Sequence, residues 1–183
     1  QGKRLAVFLD YDGTLTPIVD RPELAVLDAD MRSVIRELAA RCSVAIISGR
    51  DRADVERLVD VEGLVYAGSH GFDIAGPGGL AMQYPGAAEF LPDLDRAEAA
   101  LRARLEGIEG ALIERKRYAI AVHYRLVSAE RLAEVEAAVD ATLAEASDRL
   151  RRTGGKKVYE LRVRLPWDKG GAVAWLLDGL GLN

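Results

Sequence analysis

The chain holds one cysteine, Cys42, and two histidines in 183 residues. A single thiol cannot form an internal disulfide, so a reducing, cytoplasmic setting is expected. Cys42 falls at a helix end among apolar neighbours and is read as a small core hydrophobe. His70 and His123 lie too far apart to make a zinc motif. Positive charge is also short: 25 Lys and Arg against 29 Asp and Glu leave a net charge of −4. That balance argues against nucleic acid or an anionic membrane as partner. No apolar run is long enough to span a bilayer, and no signal peptide opens the chain. Repeats and low-complexity segments are lacking as well. What is there is 49% apolar and 30% charged, ordinary for a globular protein with one domain or a core carrying an inserted module. The first residue is Gln1, not Met, so an excerpt of a longer product is expected.

The apolar run at residues 5–9 predicts a strand buried on both faces. Met31, Val34, Ile35 and Leu38 then recur at helical spacing behind Asp28 and Asp30 as candidate caps. "SVAII" at residues 43–47 predicts a second buried strand, Val55, Leu58 and Val59 a helix, and "LVYA" at 64–67 a third strand. Strand, helix, strand, helix, strand is the signature of a parallel, helix-covered sheet. The breaker cluster "AGPGG" at 75–79 ends this pattern. Beyond it, Phe90, Leu94, Ala97, Leu101 and Leu105 form one helical stripe, and Leu132, Val135, Val139 and Leu143 another. Between them "ALIERKRYAIAVHYR" predicts two strands joined by a turn near Lys116 and Arg117. "TGG" reads as a turn before a strand in "KKVYELRVR", and together these segments suggest a small α+β module. A last helix should open at Asp168 as its cap and end near Gly179 or Gly181.

Chemistry concentrates in "AVFLDYDGTLTPI". Side chains at i and i+2 of a strand share a face, so Asp10 and Asp12 project together from the carboxyl end of the first strand. Open α/β sheets bind their ligands there. Gly13 lets the chain turn away, and Thr14 offers a hydroxyl and an N–H at the rim. Two adjacent carboxylates repel, which raises one pKa unless a cation intervenes. Such a pair suits a nucleophile beside a general acid/base, and an all-oxygen site favours Mg²⁺. The plainer alternative is a polar strand end with an Asx-type turn.

Ser48 follows the second strand in "IISGRD", as a helix N-cap or as part of an anion site. Lys169 opens the last helix, where a cation opposes the helix dipole; such local conflicts often mark function, although a solvated lysine is the simpler reading. Glu114 and Lys116, at i and i+2, share a strand face, as an exposed charge pair or as a pair that reaches a ligand. His70 in "GSHG" is a loop histidine whose flanking glycines suggest a close backbone approach. His123, in the alternating "YAIAVHYR", is read as structural.

Taken together, "DYDGT", "SGR" and "DKG" resemble the haloacid dehalogenase (HAD) superfamily. "FLDYDGTLTPIV", "AIISGR", "YAGSHGFDI", "VHYR" and "WDKGGAV" resemble, in order and over nearly the whole chain, its trehalose-6-phosphate phosphatases. The resemblance implies an α/β, Rossmann-like parallel-sheet core over residues 1–74 and 165–183, with an inserted α+β cap of the C2 type over 75–164. It implies Mg²⁺-dependent hydrolysis of trehalose 6-phosphate, a small-molecule substrate. Asp10 would be the nucleophile that becomes a phosphoaspartate, and Asp12 the acid/base. Ser48 and Lys169 would hold and neutralise the phosphoryl group, with Asp10 and Asp12 on the metal. Thr14, Gly49, Arg50, His70 and Gly71 would lie around the substrate, and Glu114, Lys116, Arg125 and Glu160 would hold the disaccharide hydroxyls. Related sugar phosphatases, acting on sucrose phosphate or a glycosyl phosphoglycerate, are the nearest alternatives.

The family pattern also has a fourth acidic motif, resembling G-D-D-x-x-D, after a strand that follows the Lys169 helix. Here the sequence stops at "LLDGLGLN", and Asp178, on the helix itself, does not replace it. A partial record of a longer phosphatase is the favoured expectation, since the other catalytic positions are intact; a shortened sugar-phosphate sensor without turnover is the alternative. In "ELRVRLPWDKG" the resemblance supports Glu160 more firmly than Arg162 or Arg164. The sheet is expected to leave an apolar edge beside Asp10.

Overall fold

The computed structural model describes residues 4–182; Gln1 and Asn183, the outer limits of the expected core, lie outside them. Within the first of two compact units, Gln1–Tyr84 with Trp167–Asn183, a five-stranded sheet runs in the order β1-β2-β3-β4-β5. Its strands are β1 (Ala6–Leu9), β2 (Ser43–Ile47), β3 (Val65–Gly68), β4 (Asp73–Ala75) and β5 (Ala81–Gln83). The first three are parallel, with Phe8 opposite Ala45 and Ile46 opposite Tyr66. β4 and β5 are antiparallel additions, and "AGPGG" is the loop of their hairpin. That hairpin carries the first unit on to Tyr84, beyond the breaker cluster where the sequence suggests a boundary. Three-residue strands carry too little periodicity to be read from sequence.

Alternation on β2 explains why both faces need cover. Val44 and Ile46 pack with Ile35 of α1 (Ala29–Ala39) and with Val55 and Val59 of α2 (Arg52–Val59). Ala45 and Ile47, pointing the other way, pack with Ala172 and Leu176 of α5 (Lys169–Gly179). The cap of α1 is Asp28, whose carboxylate accepts from the Met31 amide at 2.7 Å; Asp30 lies inside the helix. Among the described residues β1 pairs only with β2, which puts it at the sheet edge.

Tyr66 ties α2 to the sheet floor. Its hydroxyl donates to the Val61 carbonyl at 2.7 Å, and burial pushes its pKa up to about 12. The folded state therefore holds the phenol proton more tightly than the unfolded chain. Stability is full below the unfolded pKa near 10 and is lost as pH rises through about 12. The displacement corresponds to about 2–3 kcal/mol. Denaturant titrations should show the wild type losing that much more than Tyr66→Phe across this window; parallel losses would contradict the assignment.

The second unit, Pro85–Pro166, has a four-stranded antiparallel sheet in the order β6-β7-β9-β8. The strands are β6 (Leu112–Lys116), β7 (Ala119–His123), β8 (Leu150–Gly155) and β9 (Val158–Val163). Two helices, α3 (Leu91–Arg104) and α4 (Leu132–Ala144), cover one face. Arg115 reaches Asp95 and Glu98 of α3, and Arg152 reaches Glu136 and Asp140 of α4. Leu94, Ala97, Leu101 and Leu105 are buried as the first stripe predicts. In α4 the buried positions are Val135, Ala138, Val139 and Thr142, so Leu143 is displaced from the stripe by its neighbour. "TGG" is also not the turn: Thr153 to Gly155 close β8, and the reversal falls at Lys156 and Lys157, the latter with φ +67°.

Candidate active site

Asp10 follows β1 directly, at the carboxyl end of the parallel strands. Its Oδ1 accepts from the Tyr11 amide at 2.8 Å, and its Oδ2 accepts from Lys169 Nζ at 2.6 Å. Lys169 is the first residue of α5, fixed by its neighbour Asp168, whose carboxylate caps the helix by accepting from the Gly171 amide at 3.0 Å. The cation that a helix start disfavours is thus compensated by a carboxylate brought from the far end of the chain.

Asp12 turns to a different partner. The Arg50 guanidinium donates through Nη2 to Asp12 Oδ1 at 2.8 Å and through Nε to Oδ2 at 3.0 Å. The two carboxylates are close in sequence, yet each has its own cation, which offsets mutual repulsion. Arg50 also donates to Asp54 at 3.3 Å and to the Pro22 carbonyl at 2.8 Å, and its guanidinium lies 5.2 Å from the Tyr11 ring centroid. Burial alone would lower its pKa, but the bonds and charge of Asp12, then of Asp54, outweigh it and hold Arg50 above its ordinary value. Arg50, which the resemblance places at the substrate, has its guanidinium directed at these three acceptors.

Ser48 is fully buried at the end of β2. Its hydroxyl accepts from the Arg50 amide at 3.0 Å and closes the "SGR" turn. The N-cap position of α2 belongs to Asp51, not to Ser48, because the turn inserts Gly49 and Arg50 first. Asp51 in turn accepts from the Ser69 hydroxyl at 2.6 Å. Two backbone bonds, Ser69 N–H to the Arg50 carbonyl and His70 N–H to the Ser48 carbonyl, press "GSHG" against "SGRD".

That contact accounts for the strained turn. Ser69, His70 and Gly71 all have positive φ, at +48°, +59° and +92°. Non-glycine residues hold this region at a cost that only the surrounding structure can offset, and such turns cluster at functional sites. At Gly71 a Cβ would lie 2.3 Å from the Ala172 methyl on α5, so no side chain fits. Gly49 serves His70: a Cβ there would meet the imidazole at 2.9 Å. The histidine ring therefore lies close against the Gly49 backbone, next to Ser48 in the chain. Thr14 is exposed on the turn after Asp12, its amide facing the Tyr11 carbonyl at 3.4 Å.

The second unit gathers another set on the sheet face away from its helices. In β6-β7-β9 register, Glu114, Ala121 and Glu160 form one row and Lys116, Ala119 and Arg162 the next. Lys116 Nζ reaches Glu160 Oε1 at 3.0 Å across β7, where only the two alanine methyls intervene. His123 Nε2 lies 2.8 Å from Glu114 Oε2, so its face is that of the charged residues. Its position one strand away from Glu114 was legible only through the hairpin register. Arg125, past the end of β7, donates to the Lys156 carbonyl at 3.0 Å.

As donors for a metal, Asp10 and Asp12 offer half-exposed carboxylate oxygens. That chemistry fits Mg²⁺, which binds through one or two carboxylates plus water and phosphate oxygens. Among the described residues, no three His, Cys, Asp or Glu gather as a metal-holding group.

The trehalose-phosphatase family model matches residues 8–183. A trehalose-phosphate phosphatase of Mycobacterium marinum is 46% identical over 177 residues, covering 97% of this chain and 45% of that protein. Its counterpart in Mycolicibacterium paratuberculosis is 47% identical over 179 residues, 98% of this chain and 45% of the relative. The chain thus spans about half the length of the curated relatives it matches. Among solved structures, a trehalose-6-phosphate phosphatase related protein superposes with a TM-score of 0.84 at 28% identity, covering 95% of this chain and 74% of that one. The C-terminal domain of the Candida albicans trehalose-6-phosphate phosphatase gives 0.82 at 26% identity, covering 96% and 61%. The α/β architecture is that of the HAD phosphatases, and the chain belongs to the trehalose-phosphatase family.

Proposed function

We propose that the protein carrying this chain is a Mg²⁺-dependent phosphatase that hydrolyses trehalose 6-phosphate to trehalose and phosphate. The observation that carries this reading is the separation of the two carboxylates, one on Lys169 and the other on Arg50. Neighbouring acids with different partners can do different work.

In the first step an Asp10 oxygen attacks phosphorus and the bond from phosphorus to the sugar oxygen breaks. Asp12 delivers a proton to the departing oxygen, so trehalose leaves neutral and a phosphoaspartate remains. In the second step Asp12 takes a proton from water, whose oxygen attacks phosphorus. The bond to Asp10 breaks, releasing phosphate and restoring both side chains. Ser48 and Lys169 would hold the phosphoryl oxygens; phosphoryl transfer depends on such positioning and charge stabilisation. Asp10 and Asp12 would hold Mg²⁺, which when bound screens the negative charge shared by carboxylate and phosphate.

Residues 1–84 with the segment from Trp167 would be the catalytic core and residues 85–166 the cap. Glu114, Lys116, Arg125 and Glu160 would read sugar hydroxyls, with Thr14, Gly49, His70 and Gly71 nearer the phosphate. Alternating carboxylates and cations suit a neutral polyol, whose hydroxyls both donate and accept. The lone cysteine supports a cytoplasmic setting, and among the described residues no helix is long and apolar enough to cross a membrane. The test is phosphate release by the full-length product from a panel of sugar phosphates, with and without Mg²⁺. Trehalose 6-phosphate should lead, with activity lost on chelation. Preference for sucrose phosphate or a glycosyl phosphoglycerate would replace the substrate, and absence of turnover throughout would favour a sensor.

A further inference from the structure

Arg50 is built into this site in a way that a substrate-binding arginine is not. Only 7% of its side chain is exposed, whereas its partner Asp12 is 45% exposed. The buried member of the pair is thus the cation, and the accessible member is the carboxylate. A planar guanidinium holding both oxygens of a carboxylate fixes its orientation as well as its charge.

The guanidinium is itself held from several sides. Nη1 faces Asp54 of α2, and Nη2 also bonds the Pro22 carbonyl in the short helical turn Pro22–Leu24. Asp54 is braced in turn by Arg57 at 2.7 Å. The Arg50 backbone is pinned at both ends, its amide by the Ser48 hydroxyl and its carbonyl by the Ser69 amide at 2.6 Å. So the element whose hydroxyl is expected to meet phosphate also carries the group that aims Asp12.

We propose that Arg50 is a positioning residue for the acid/base Asp12, and that it is braced by Asp54 and the Pro22 carbonyl. This rests on Asp12 moving the protons of the reaction, but not on which sugar leaves. An unclamped Asp12 can rotate away from the departing oxygen. A displacement of about 1 Å in a reacting group costs about 10²-fold in rate.

The experiment compares Arg50→Ala, Arg50→Lys and wild type in the full-length product, measuring kcat and KM for trehalose 6-phosphate and for the other sugar phosphates. Arg50→Ala should lower kcat about 10²-fold with KM changed by less than about threefold. Millimolar guanidinium should restore part of that kcat. Arg50→Lys keeps the charge but cannot grip both oxygens; its kcat should fall about tenfold, and it carries the test if the alanine variant does not fold. A raised KM with kcat retained would overturn the proposal and make Arg50 a substrate contact. If wild type prefers another sugar phosphate and the variants still lose kcat alone, the proposal stands while the named substrate falls. No phosphate release by wild type from any substrate overturns both.

Discussion

Asp10→Asn is expected to lower kcat for phosphate release by about 10⁴-fold or more while the protein stays folded. The substitution keeps the shape of the side chain and one carbonyl oxygen, so the Tyr11 amide at 2.8 Å retains an acceptor. What it removes is the negative oxygen now held by Lys169 at 2.6 Å, and with it the carboxylate that the proposed mechanism uses to attack phosphorus. An amide oxygen is a far weaker nucleophile, so the proposed covalent intermediate would not form and only direct attack by water would be left. The half-exposed ion pair lost in the process contributes at most about 1 kcal/mol to stability. Thermal melting and phosphate release, measured on one preparation, separate the two effects. Turnover within tenfold of wild type would remove Asp10 from the nucleophile's role, and a collapsed melting curve would show that its work is structural.

Which parts of this arrangement are legible in the sequence follows from the range over which each signal acts. "SVAII" coincides with β2, and its Val44 to Ile47 are legible because a stretch buried on both faces must be apolar. The cap of α5 was readable too, since Asp168 acts on an amide three residues away. Long-range partners were not. Nothing in "SGRD" says that Arg50 turns back to Asp12 across two strands, because an arginine in a loop is solvated by default. His123 hid for a similar reason: its face is fixed by the register of β6 on β7, a property of two strands and not of one. The run of positive φ in "GSHG" also depends on contacts with "SGRD" and α5, which no local propensity encodes. At Ser48 the sequence suggests an N-cap, but the residue sits one turn too early because its hydroxyl serves the Arg50 amide instead.

Lys169→Ala should separate stability from activity in a way that tests the site as a whole. At the first position of α5 a lysine opposes the helix dipole, a cost of about 0.3–1 kcal/mol at an exposed site. Alanine is also the best helix former, so the helix itself gains by the change. Against this stands only the half-exposed bond to Asp10, worth at most about 1 kcal/mol. The variant should therefore melt within a few degrees of wild type. Turnover should respond very differently, because in the proposed mechanism the ammonium on Asp10 also neutralises the phosphoryl group. Losing one preorganised donor of this kind costs about 10²–10³-fold in kcat. Arginine should not rescue it: its broad, delocalised guanidinium cannot reproduce a compact ammonium 2.6 Å from one carboxylate oxygen. Full activity in Lys169→Arg would mean that charge alone suffices and geometry does not matter. Unimpaired turnover in Lys169→Ala would mean that the lysine at this helix start compensates Asp10 in the resting protein and takes no part in the reaction.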